Sequence, residues 1–125
     1  MKITYLELDT ILEAIERHLG WTNTKATYLN KSNLQFILEA TKTKFNSEKK
    51  PLQKKSSYLL TQIVQSHPMA DGNKRIAVIL TETFVGMNGA EITASDNEIF
   101  EKVTSFAAGK ITESDIRKWL EENIR

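Results

Sequence analysis

The sequence predicts an all-α domain. Apolar residues recur at helical spacing in six successive stretches, and several of these open on a residue able to cap a helix. Nowhere do apolar and polar residues alternate long enough to suggest a sheet.

Leu8, Ile11, Leu12, Ile15 and Leu19 form the first stripe, with Thr4 and Glu7 spaced as a capping box and Gly20 as a stop. Trp21 to Lys31 has no clean period. A second helix is expected from Ser32, with Gln35 at the reciprocal capping position and Leu34, Ile37 and Leu38 facing inward. A polar interruption from Lys42 to Lys50 follows. Pro51 suits the first turn of a third helix, whose core side uses Leu52, Tyr58, Leu59, Ile63 and Val64. The fourth, from Gly72 or Asn73, is the most apolar: Ile76, Val78, Ile79, Leu80, Phe84, Val85 and Met87 suit a central helix ended by Asn88-Gly89. Ser95 and Glu98 open a fifth helix carrying Ile99, Val103, Phe106 and Ala107, stopped at Gly109. Thr112 caps a last one with Ile116, Trp119, Leu120 and Ile124. Short extended pieces near Lys44–Lys50 and Ala90–Thr93 stay open.

A chain of 125 residues suits a single domain, here 1–125, and two prolines and five glycines argue against a linker-rich protein. A net charge of +1 exerts no general pull on nucleic acid or membrane. With no cysteine there are no disulfides or thiolate metal sites, which fits a reducing cytoplasm. The N-terminal stretch carries acids among its apolar residues, unlike a signal peptide, and no run reaches membrane-spanning length.

Chemistry concentrates in His67-Pro-Met-Ala-Asp-Gly-Asn-Lys-Arg75. A glycine turn opening a helix presents N–H groups without intrahelical partners, and the dipole there favours an anion. Lys74 and Arg75 oppose that dipole unless an anion is present, so their position points to phosphate. His67 either caps the preceding helix or satisfies a buried carbonyl, or else acts as a titratable base, and Asp71 reads as a helix N-cap. His18, beside Arg17 at a helix end, reads as structural. Six lysines between Lys42 and Lys55, against the single acid Glu48, read first as solvated surface; the alternatives are a patch facing nucleotide phosphates or an acidic partner. Direct nucleic-acid binding is disfavoured because no aromatic residues interleave with the basic ones.

The stretch His67, Met69, Asp71, Gly72, Asn73, Lys74, Arg75 resembles the motif of the Fic/Doc superfamily, and within it the death-on-curing (Doc) toxin branch. Fic proteins carry His-x-Phe-x-acid-Gly-Asn-Gly-Arg-x-x-Arg; here Lys74 replaces the second glycine and Val78 the final arginine, both Doc-like, whereas Gly72 keeps a Fic-like feature. The resemblance extends from about Leu52 to Leu120 and is vague before Ser32. It implies a compact bundle of about six helices around the motif helix, with a short flap loop or hairpin at Lys44, Phe45, Asn46, Ser47, Glu48, Lys49 and Lys50 that docks an extended target segment. It implies catalysis by His67 and Asp71, phosphate binding by Gly72, Asn73, Lys74 and Arg75, Mg2+ on Asp71, and ATP as co-substrate. The activity implied is phosphoryl transfer to a hydroxyl of a translation factor such as elongation factor Tu; AMP transfer, as in Fic enzymes, is the alternative, and a module without catalysis the third reading. The inhibitory motif (Ser/Thr)-x-x-x-Glu-(Gly/Asn) is absent, since Glu122-Asn123 is preceded at that spacing by Lys118. Restraint by a Phd-like antitoxin is therefore implied.

Overall fold

The computed structural model describes residues 2–21, 30–68 and 72–125. It contains α1 (Leu8–Trp21), α2 (Lys31–Thr43), α3 (Pro51–Ser66), α4 (Asn73–Met87), α5 (Asp96–Ala107) and α6 (Glu113–Asn123). The expected all-helical bundle is thus observed, with no named strand among the described residues. The extended piece considered after α4 is one antiparallel bridge between Ile92 and Ile124. Glu91 and Arg125 exchange backbone bonds of 2.9 and 3.0 Å around it.

The third helix reaches α2, α4, α5 and α6, while α4 packs between α3 and α5. Leu59 and Ile63 of α3 meet a core that includes Ile76, Ala77, Leu80, Phe84 and Val85 of α4, all at most 2% exposed. Emptying such a position, for example Phe84→Ala, costs about 3–5 kcal/mol. The small polar residues inside α3 are accommodated by bonds back to their own helix: Ser56 donates to Leu52 O at 2.7 Å and Thr61 to Ser57 O at 2.8 Å.

The predicted starts of the last two helices form as expected. Ser95 accepts from Glu98 N, and Thr112 with Asp115 makes a reciprocal capping box. Two earlier caps differ. The second helix is capped by Asn30, whose side chain accepts from Asn33 N at 3.0 Å, so the Ser32–Gln35 box is not the start. Thr4 does not cap α1 either: its backbone N–H donates to Asn88 Oδ1 at 2.8 Å, and Asn88 Nδ2 returns a bond to Thr4 O at 2.9 Å. That amide clasp ties the chain's beginning to the end of α4 and places Tyr5 against Phe84, ring centroids 6.1 Å apart. Gly20 lies within α1 rather than ending it.

Candidate active site

The site is built where α3 stops and α4 starts. His67 ends α3 in the left-handed conformation, φ 46°, a geometry histidine tolerates better than most non-glycine residues. Pro68 follows, buried, and its carbonyl accepts from Asn30 N at 3.2 Å, which fastens the loop to the first turn of α2. The chain re-enters helix at Gly72, again left-handed at φ 82°, and Ile76 N closes the first turn of α4 on Gly72 O at 2.9 Å. As the N-cap, Gly72 brings no side chain to the helix end, so backbone can approach a ligand closely there.

The imidazole of His67 is exposed, with Nδ1 3.5 Å from Asn73 Nδ2. An amide and an imidazole can pair in two senses. As the amide stands, Nδ2 donates to Nδ1 and the ring proton sits on Nε2; with the amide turned over, Nδ1–H donates to Oδ1 and Nε2 keeps the lone pair a general base needs. Lys74 and Arg75 stand exposed on the first turn of α4, which holds no acidic residue. Among the described residues neither makes an ion pair. Val78, one turn on, is 6% exposed and belongs to the core.

Two clefts flank this turn. One, of about 420 Å³, is lined by Val64, Gln65 and His67 at the end of α3 and by Phe106, Ala107 and Gly109 at the end of α5. The other, of about 280 Å³, runs along α4 from Arg75 past Val78 and Ile79 to Glu82, closed by Asp96 and Phe100 at the start of α5. Partial burial raises the Glu82 pKa from its ordinary value, and the neighbouring charge of Asp96 adds to the rise. Among the described residues no three His, Asp or Glu side chains gather as a metal site. A magnesium ion carried on phosphates needs only one or two carboxylates. Met69, Ala70 and Asp71 lie outside the described residues, as does the His18 side chain.

His67, Gly72 and Asn73 are thus brought together with Lys74 and Arg75, but the expected target-docking flap is not. Lys44 to Lys50 connects α2 to the start of α3, whereas His67 is at the other end of that 16-residue helix. At about 1.5 Å per residue the two are roughly 24 Å apart. The segment is neither a hairpin nor a strand edge. It is a succession of turns, with Glu48 N bonded to Phe45 O at 3.2 Å and left-handed residues at Phe45 and Lys50. Strand addition needs a row of extended backbone, which this loop lacks. The loop's own backbone therefore offers a target segment no preformed strand edge.

The lysine run also resolves into separate tasks. Lys42 pairs with Glu7 and Glu39, Lys54 with Glu121, and Lys44 lies over the Tyr58 ring. Lys55 is fully buried, and its ammonium donates to Thr41 O, to Lys44 O at 2.6 Å and to Asn46 Oδ1 at 2.7 Å. Lys55, one of the six lysines expected on solvated surface, belongs instead to the core. Its signal was position: Lys55 falls three residues after Leu52 and four before Leu59, on the core stripe of α3.

A family model for the Fic/DOC family matches residues 5–85. The match begins well before Ser32 and ends within α4, so it takes in α1 to α3 and the motif but leaves α5 and α6 outside. A search of curated proteins finds no match to the chain. Members of the family are typically ATP-dependent transferases that move AMP or a phosphoryl group, generally with Mg2+. With the match covering well over half of the sequence and the motif turn formed at the head of α4, the chain belongs to the Fic/DOC family.

Proposed function

We propose that this protein transfers the γ-phosphoryl group of ATP to a hydroxyl side chain of a target protein, as a Doc-like toxin. The observation that carries the reading is the order of groups along the site. His67 comes first, then the Gly72 turn, then Lys74 and Arg75, then the mostly apolar cleft from Arg75 to Glu82. A nucleotide with its base in that cleft and its phosphates on the turn directs the γ end toward His67. Lys74 and Arg75, with the N–H groups of the turn, hold the charge of the phosphates. The hydroxyl oxygen bonds to the γ-phosphorus, the bond from that phosphorus to the bridging oxygen breaks, and ADP leaves. The hydroxyl proton passes to His67. Magnesium held by Asp71 and the phosphate oxygens would supply further charge neutralisation. Val78, buried and apolar, offers no second cation for a phosphate, which also favours this reading over AMP transfer.

AMP transfer is the second reading, and the other cleft supports it. A base beside Gln65, His67 and Phe106 turns the α-phosphorus toward His67 instead. Gly72 at φ 82° retains the Fic-type turn that an alanine would strain. The target we propose is a translation factor such as elongation factor Tu, which places the enzyme in the cytoplasm. Without the inhibitory motif in its own sequence, its restraint falls to a Phd-like antitoxin. No helix among the described residues is long and apolar enough to cross a membrane. The test is incubation with cell lysate and ATP labelled separately at the α and γ positions. Label on protein from γ alone supports phosphoryl transfer; label from α means AMP transfer; no label from either argues for a module without catalysis.

A further inference from the structure

We infer that Glu82 is a specificity-determining residue that reads the 6-amino group of the adenine base in the cleft between α4 and α5. This rests on the placement of the base in the Arg75–Glu82 cleft. Arg75, Val78, Ile79 and Glu82 follow one another at intervals of three, one and three residues, so they share a face of α4. Seven residues separate Arg75 from Glu82, about 10 Å along the axis. That is roughly the distance from the phosphates of an extended nucleotide to the far edge of its base. The cleft offers each part of such a molecule a matching surface. Arg75 is a cation for the phosphate end. Val78 and Ile79 give an apolar floor, and Phe100, 41% exposed on the facing helix, gives a ring against which a flat base can lie. The polar groups at the far end are both carboxylates, Glu82 and Asp96.

A carboxylate only accepts hydrogen bonds when ionised. It therefore complements a base edge that donates, as the 6-amino group of adenine does. It repels the same position when that position is a carbonyl oxygen, as in hypoxanthine. Asp96, at the first position of α5, lies where the helix N-terminus stabilises its own charge, whereas Glu82, on the third turn of α4, lines the cleft without that stabilisation. This makes Glu82 the residue that meets the base and Asp96 the one that closes the cleft behind it.

The test compares adenine with hypoxanthine nucleotides on the full chain. Binding is read by the thermal shift produced by ADP and by IDP with Mg2+, and transfer by kcat/KM with ATP and ITP. For the unaltered protein an adenine preference of about tenfold or more is expected. Glu82→Gln, whose amide can donate to a carbonyl oxygen, should bring the two nucleotides within about threefold of each other. It should do so by weakening ADP and strengthening IDP, a crossing that loss of fold would not produce. Ile79→Trp, which fills the cleft floor, should remove the shift given by both. An unchanged adenine preference in Glu82→Gln, or nucleotide binding that survives Ile79→Trp, would overturn the inference. Failure of the underlying reading looks different: the α label of ATP would appear on the target, or neither ADP nor IDP would shift the unaltered protein.

Discussion

Lys74→Ala is expected to stabilise the empty protein while weakening its hold on ATP, and these opposite signs make it informative. Lys74 stands exposed in the first turn of α4, where a cation faces the positive end of the helix dipole and no acidic residue offsets it. Relief of that repulsion is worth about 0.3 kcal/mol for an exposed charge. Alanine's better helix propensity adds roughly 0.2 kcal/mol. The sum, about 0.5 kcal/mol, divided by an unfolding entropy near 2.1 cal/mol/K per residue, gives a rise in Tm of about 2 °C for a chain of this length. If Lys74 instead meets phosphate, its loss removes a charge-assisted hydrogen bond of about 1.5–3 kcal/mol. That corresponds to roughly 10- to 100-fold weaker ATP binding. Scanning calorimetry without nucleotide and titration calorimetry with Mg-ATP measure the two effects separately. A lower Tm together with unchanged ATP affinity would refute the phosphate-binding argument and leave Lys74 as a structural residue.

Other substitutions address the remaining groups. His67→Asn keeps a residue that accepts the left-handed backbone at φ 46° but cannot take a proton, so transfer to target protein should fall by about 10²- to 10⁴-fold with the Tm nearly constant. Near wild-type labelling by that variant would remove His67 from the chemistry. Lys74→Gly restores the Fic-type Gly-Asn-Gly-Arg turn, and mass spectrometry of the modified target should show loss of the phosphate adduct; Arg75→Ala, which opens no comparable space, should depress either chemistry. In the α6 capping box, backbone and side-chain bonds from Thr112 hold the Asp115 pKa below its ordinary value. A depressed folded-state pKa means that the stabilisation is complete above the unfolded aspartate range and is lost as pH falls through the folded value. Urea titrations of wild type and Asp115→Asn should therefore differ above about pH 5 and converge in acid.

Much of this architecture was legible in local sequence because its causes are local. Ser95 with Glu98 and Thr112 with Asp115 act within one turn, and the apolar spacing of α4 reports a helix covered on several sides. Thr4 could not be read that way, since its partner Asn88 lies 84 residues away. The motif announced itself through residue types whose charges oppose the helix end they occupy. The surroundings of the site did not. The Pro68–Asn30 backbone bond and the cleft shared by Phe100 and Ile79 depend on how separate helices pack.

The buried ammonium of Lys55 also bears on how the chain reaches its native state. Its acceptors lie 9, 11 and 14 residues earlier in the sequence. A lysine stripped of water before those oxygens are in place would be strongly unfavourable. The end of α2, the connecting turn and the start of α3 must therefore assemble together or stay hydrated together, with the ammonium acting as the latch of a short-range cooperative unit. Contacts of such small sequence separation close quickly. This hairpin is thus suited to form early and to present the inward faces of α2 and α3, already in register, to the later helices on which the site depends.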